Sequence, residues 1–257
     1  MTKREIILCK DGDELNRKAA AQFTALASAA IARSGRFAVA LSGGSTPKSL
    51  YSLLASPDFR DLIDWSRVHL FWGDERCVPP DHPDSNFRMV REALLAEIQI
   101  PDKNIHRMLG ETEPGEAAAV YEAELKTFLG LEHGGWPRFD LIFLGLGEDG
   151  HTASLFPGTD AANEAEHLVA VAYVERLQSY RLTLTLPVIN AAAQVTFLVS
   201  GETKAAIVKE ILLADSASCN YPAAKVRPMN GGLSWVIGAD AAKELPLSII
   251  KRNGVLE

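Results

Sequence analysis

Cysteine is scarce in this chain: three in 257 residues, at Cys9, Cys77 and Cys219. They are odd in number, far apart and without a CxxC pair, so neither a disulfide framework nor a zinc site is expected, and a reducing cytoplasm is the expected location. No apolar run approaches the length that spans a bilayer, which removes a membrane partner. The opening Met-Thr-Lys-Arg-Glu leads into a strand-like stretch, Ile6 to Cys9, without the apolar segment of a signal peptide. Positive charge is in deficit, with 26 Lys and Arg against 33 Asp and Glu and a formal net charge of −7. Such a chain repels phosphate polymers, so nucleic acid is not an expected partner. A small anionic substrate stays compatible, because a local cluster of donors outweighs the global field. There is no HExxH or comparable ligand spacing, and His82, His133 and His167 fall in polar loops or at a strand entry; no metal is expected. The GxSxG nucleophile elbow is absent as well.

What is present reads as strand, loop and helix in alternation. An Ala-rich amphipathic helix is expected over 13–34, ended by Gly35, then a buried strand Phe37–Leu41 and a helix over 47–55. Strand Val68–Trp72 runs into a polar turn, Gly73–Arg76, a loop over 78–84 and a helix over 86–97. A helix over 115–129 precedes a strand over 140–146. The last third offers strands at His167–Val174, Arg181–Leu186 and Val195–Val199, a helix over 202–214, and Trp235–Ile237 to close the sheet. His69 and His106 sit in or beside apolar runs and read as structural. Continuous apolar strands alternating with helices imply an α/β fold: a mainly parallel, Rossmann-like sheet with helices on both faces and its active site at the strand carboxyl ends. Neither a repeat nor a clear linker divides the sequence, so one domain over 1–257 is expected.

Four loops at those strand ends carry chemistry. Ser42-Gly-Gly-Ser-Thr-Pro47 opens a helix, with Thr46 suited to the N-cap and Pro47 to the first helical position. The backbone at Gly43, Gly44 and Ser45 is free to approach an anion. This segment matches neither a GxGxxG dinucleotide loop nor a P-loop. Asp74, Glu75 and Arg76 follow the next strand, and Ser85-Asn-Phe-Arg88 puts Arg88 in the first turn of a helix. Lys204, after Val199-Ser-Gly201, also sits at a positive helix end, where a cation is disfavoured unless an anion faces it; Arg181 begins a strand nearby. The richest loop is Gly145-Leu-Gly-Glu-Asp-Gly-His-Thr-Ala-Ser-Leu-Phe-Pro-Gly158, which presents Asp149 and His151 at the mouth of what reads as a short helix. A histidine there can move protons near neutral pH. Ser154 is a weaker nucleophile candidate than water.

These segments, together with Arg181-Leu-Thr-Leu-Thr-Leu-Pro187 and Gly201-Glu-Thr-Lys204, resemble the 6-phosphogluconolactonase family in order along most of the chain. The resemblance implies hydrolysis of the lactone of 6-phosphogluconate, in the oxidative pentose phosphate pathway, with no metal or organic cofactor. Glucosamine-6-phosphate deaminase is similar in fold and phosphate loop, but its aspartate-glutamate-tyrosine turn reads Asp74-Glu75-Arg76 here. Phe156 stands where the deaminase has its catalytic glutamate. Effector modules of sugar-responsive transcription regulators resemble the fold too, and need a DNA-reading helix-turn-helix that this pattern lacks. On the lactonase resemblance, the substrate phosphate is expected on Gly43, Gly44 and Ser45 with Arg181 and Lys204, and Arg88 is either a further contact or a partner of Glu75. His151 is expected to act as general base on water. A backbone N–H or Arg76 is expected to stabilise the oxyanion. Asp149 orients His151, caps the helix after it, or does both; Asp74 either contacts the sugar or pairs with Arg76. A monomer is expected.

Overall fold

A computed structural model describes residues 4–131, 135–213, 219–246 and 249; His133 and Ala214, the last residue of the expected helix 202–214, lie outside them. The strands are β1 (Arg4–Cys9), β2 (Phe37–Leu41), β3 (Val68–Trp72), β4 (Asp74–Arg76), β5 (Ile105–His106), β6 (Leu141–Leu144), β7 (Val169–Val174), β8 (Ser179–Leu184), β9 (Gln194–Val199) and β10 (Gly232–Gly238). The helices are α1 (Gly12–Ser34), α2 (Ser45–Ala55), α3 (Pro57–Arg60), α4 (Asn86–Val90), α5 (Pro114–Leu129), α6 (Leu186–Ala191), α7 (Ala205–Leu213) and α8 (Ala239–Ala242).

Seven strands form a parallel sheet in the order β1-β10-β9-β6-β2-β3-β5, covered by helices on both faces. Strands β2 and β6 are buried at every residue, which is why their sequences, Phe-Ala-Val-Ala-Leu and Leu-Ile-Phe-Leu, show no alternation. From β2 the chain winds outward through β3 to β5, then returns to β6 on the other side of β2 and continues to β9. The winding direction therefore reverses between β2 and β6, and a crevice opens at their carboxyl ends.

Helix α1 shows how local sequence builds this frame. Asp11 caps it by accepting the Glu14 N–H at 2.8 Å, and Gly35 ends it at φ 77° with its N–H on the Ile31 carbonyl. Its Leu15, Ala19, Phe23, Ala27 and Ala30 are buried on one face. Phe23 meets Phe37 edge-on at 5.2 Å, with Trp65 at 5.9 Å and Phe143 at 6.3 Å.

Several expectations need correction. Gly73–Arg76 is not only a turn: β4 pairs antiparallel with β8, and β8 with β7, in a separate three-stranded sheet. Strand β10 does not close the large sheet but lies between β9 and the edge strand β1. The helix expected over 86–97 is α4 extended by a π-helical segment, Arg91–Leu95. Helix α2 starts at Ser45 with Gly44 as its N-cap, ahead of the Thr46 cap expected. Pro47 is accommodated because its missing N–H falls among first-turn donors that have no intrahelical partner. No helix follows His151; residues 152–155 form a tight bridge between Thr152 and Leu155, with Ala153 at φ 47°.

Candidate active site

The β2–β6 crevice holds a cleft of about 270 Å³ lined by Ser42–Pro47 after β2, Asp74 and Arg76 of β4, and Asn86 of α4. Gly145–Gly147, His151 and Ala153 after β6, Arg181 of β8, and Leu198–Ser200 with Lys204 complete its wall. Eight residues expected from the sequence thus meet: Gly43, Gly44, Ser45, Asp74, Arg76, His151, Arg181 and Lys204.

One end of the cleft is built for an anion. Gly44, at φ 106°, takes a backbone conformation that other residues rarely adopt and turns the chain into α2. No side chain caps α2 and no acid lies in its first turn, so its leading N–H groups face the cleft uncompensated. The hydroxyls of Thr46 and Ser200 share a hydrogen bond at 2.7 Å and tie this turn to the end of β9. Lys204, at the end of a 3₁₀ turn over Glu202–Lys204, faces Glu148 Oε1 at 3.7 Å.

Two arginines add to that field in an unusual way. Arg76 and Arg181 stand directly opposite each other across the β4–β8 ladder, where like charges destabilise the pairing. The Nε atoms of both are buried without a hydrogen-bond partner. Burial first, and the Arg76 charge second, hold the Arg181 guanidinium below its ordinary pKa. Two cations side by side, each with a buried, unpartnered Nε, are costly unless an anion joins them.

His151 is held from several directions. Its Nδ1 meets Asp149 Oδ1 at 2.5 Å, and its backbone N–H donates to the same oxygen at 3.2 Å. The imidazole stacks on Phe156 at 4.3 Å with 28° between the planes. Burial works to raise the Asp149 carboxyl, but the hydrogen bonds and charge of His151, with the charge of Arg176, outweigh it and leave the pKa lowered. An ionised Asp149 accepting from Nδ1–H leaves the Nε2 lone pair for the cleft, the tautomer a base requires. Asp149 contacts His151, and no helix follows directly for it to cap. Asp149 itself is not part of the cleft wall.

The loop is tight because Gly147 lacks a side chain: a Cβ there would lie 1.9 Å from His151 Nδ1. Gly145-x-Gly147-x-x-Gly150 has the spacing of a dinucleotide turn, but that turn works by leading into a helix N-terminus, and here none follows. Thr152 Oγ1 donates to the Gly145 carbonyl at 2.8 Å and the Gly147 N–H to the His151 carbonyl at 2.9 Å, folding the loop on itself.

Asp74 is buried, and its two carboxylate oxygens take neutral donors: Ser154 Oγ at 2.7 Å and Asn86 Nδ2 at 3.3 Å. The expected alternative of an Arg76 pair is not what forms; Arg76 donates instead to the Asp84 carbonyl. Ser154 donates its hydroxyl to Asp74 and is itself fully buried. Arg88 does not reach the cleft, nor does it pair with Glu75: its Nε binds Glu92 at 2.7 Å and its Nη1 the Asp81 carbonyl at 3.0 Å. Glu75 anchors the start of α4, accepting the Asn86 and Phe87 N–H groups at 2.7 Å and the Ser85 hydroxyl at 3.1 Å. Burial pushes its carboxyl up, against the lowering effect of those N–H groups.

Sequence reasoning did not single out Asn86 as a wall residue or Tyr51 and Tyr121 as braces. Both tyrosines are buried, and each hydroxyl bonds the backbone N–H and carbonyl of a strand's end, Ser42 for Tyr51 and Trp72 for Tyr121. A tyrosine on an apolar helix face carries no signal that its hydroxyl meets a strand end far off in the chain. Among the described residues, no group of three or more His, Cys, Asp or Glu side chains is placed to hold a metal ion. No helix among them is long and apolar enough to cross a membrane.

The family model described as glucosamine-6-phosphate isomerases/6-phosphogluconolactonase matches residues 10–235. A 6-phosphogluconolactonase of Synechocystis is 46% identical over 84% of this chain and 88% of its own length. One from Haemophilus influenzae is 41% identical over 80% of this chain and 87% of its own length. The solved 6-phosphogluconolactonase of Trypanosoma brucei superposes with a TM-score of 0.85 at 30% identity, covering 96% of this chain and all (100%) of that one. The chain belongs to the glucosamine-6-phosphate isomerase/6-phosphogluconolactonase family.

Proposed function

We infer that this family member hydrolyses 6-phosphoglucono-1,5-lactone to 6-phosphogluconate, with neutral His151 as general base. The observation that carries the reading is one cleft that brings together a histidine with a carboxylate on Nδ1, Arg76 and Arg181 with unpartnered Nε atoms, an uncapped helix start and Lys204. The substrate phosphate docks on the Gly43, Gly44 and Ser45 backbone with Arg181 and Lys204, drawing Lys204 from Glu148. That remote contact holds the lactone carbonyl near His151. Nε2 takes a proton from water as the water oxygen bonds to the carbonyl carbon. The tetrahedral oxyanion is met by Arg76 or a backbone N–H. As the carbonyl re-forms, the ring C–O bond breaks and the imidazolium returns the proton to the leaving oxygen. Asp74, fixed by Ser154 and Asn86, accepts from a sugar hydroxyl.

Phe156 supports the lactonase over a deaminase: the position beside the imidazole is a buried, stacked ring with no proton to exchange. The chain is read as one lactonase domain over 1–257, a monomer in the cytoplasm that acts on a small sugar phosphate. Turnover of freshly made 6-phosphogluconolactone, with spontaneous opening subtracted, is expected to exceed that of the non-phosphorylated gluconolactone by orders of magnitude in kcat/KM. Equal turnover of the two would remove the phosphate site from the account.

A further inference from the structure

We propose that Arg176 is a positioning residue for this reaction, acting through Asp149 on His151; the inference rests on His151 being the base. Arg176 lies in the 3₁₀ turn Glu175–Leu177 at the tip of the β7–β8 hairpin, the same hairpin that brings Arg181 to the cleft. Its Nη2 lies 3.2 Å from Asp149 Oδ2.

The two oxygens of Asp149 therefore have separate tasks. Oδ1 takes both contacts from His151, and Oδ2 takes the guanidinium. A carboxylate held by one oxygen alone can swing about its Cβ–Cγ bond and carry the imidazole with it. Held at both, its plane is fixed, and so is the direction of Nε2. Arg176 also reaches the second support of the imidazole, with Cζ 5.5 Å from the centroid of the Phe156 ring that His151 stacks on. The charged groups around Asp149 are His151 and Arg176, with Glu148 and its partner Lys204 next in the chain and across the loop. Arg176 is not a residue of the cleft wall, and it touches the cleft's cations only through the effect of its charge on Arg181.

The Arg176 side chain is 59% exposed, which bounds the effect to that of one partly solvated ion pair. Arg176→Ala is expected to lower kcat about twofold to fivefold with KM unchanged, on the scale of such a pair. Arg176→Lys is expected to recover part of the loss, since it restores the charge but not the fork. The decisive comparison is Arg176→Ala in an Asp149→Asn background. If Arg176 works through Asp149, the second change adds little to the first. Thermal melting is expected to be unchanged by the exposed substitution. Unchanged kcat, a raised KM with normal kcat, or losses that multiply in the double variant would each overturn the inference. His151→Ala measured in parallel separates the two readings. Substantial turnover in His151→Ala removes the base itself, whereas an inactive His151→Ala beside a fully active Arg176→Ala removes only the role given to Arg176.

Discussion

At the scale of single residues, chemistry depends on side chains that are present and on one that is absent. A methyl group at position 147 would meet His151 Nδ1 at 1.9 Å and Asp149 Oδ1 at 2.7 Å, so the imidazole must turn out of line. Gly147→Ala is therefore expected to lower kcat by about a hundredfold, the low end of what a general base contributes, while retaining phosphate-ligand binding by calorimetry. Lys204→Ala is expected to act on the other end of the cleft, raising KM about tenfold to a hundredfold, as for a charged hydrogen bond worth roughly 1.5–3 kcal/mol. An unaltered KM would remove Lys204 from the phosphate site. Gly43, Asp74 and His151 were legible in sequence because each lies in the segment that follows an apolar strand, β2, β3 and β6 in turn. Arg176 and Asn86 were not, because their roles come from contacts across the chain, which spacing does not encode. Arg88 misled for the same reason: a cation on the first turn of a helix looks poised for an anion, but Glu92, four residues on, claims it.

At the scale of elements, the strand ends are braced from helices. Tyr51 of α2 reaches across to Ser42, fixing the residue that opens the loop between β2 and α2. Tyr51→Phe leaves a buried N–H and carbonyl unpaired, and is expected to cost about 1–3 kcal/mol in chemical unfolding and to raise KM. Phe23→Ala, in the aromatic cluster under α1, is expected to cost about 3–5 kcal/mol with little change in the kinetics of the remaining folded enzyme. Long, strongly patterned elements such as α1 and β2 could be read from their sequences, because capping and burial act locally. The β4–β8–β7 sheet could not, since three residues after a glycine look like a turn until a distant strand pairs with them. The helix expected after His151 failed because Gly150 and Ala153 take positive φ, which no helix continues.

At the scale of the whole molecule, a net-acidic chain carries three cationic side chains in its cleft. With a net charge of −7, the chain relies on the local field of Arg76, Arg181 and Lys204 to admit an anion. KM is accordingly expected to rise with ionic strength, as screening weakens that field. Stability has its own titrating group away from the cleft. His69 contacts His106 at 3.1 Å, and burial, then the His106 charge, push its imidazole down to about 4 from an ordinary 6.5. Its folded pKa lies below the unfolded one, so the contribution is present above about pH 6.5 and is lost as pH falls toward 4. Melting temperature is expected to drop over that window, and to drop less in His69→Gln; parallel curves for the two proteins would refute the assignment. The sheet order was only partly legible, as a mainly parallel α/β sheet, because strand order is decided by which helices and strands meet in space.

The central claim is that His151 activates water in a cleft that holds its substrate by phosphate. The most direct measurement is initial-rate hydrolysis of 6-phosphogluconolactone by wild type and His151→Ala, both shown folded by thermal melting. A kcat loss of roughly 10²–10⁴-fold is expected, with phosphate-ligand binding retained. Turnover in the folded variant close to that of wild type would contradict it.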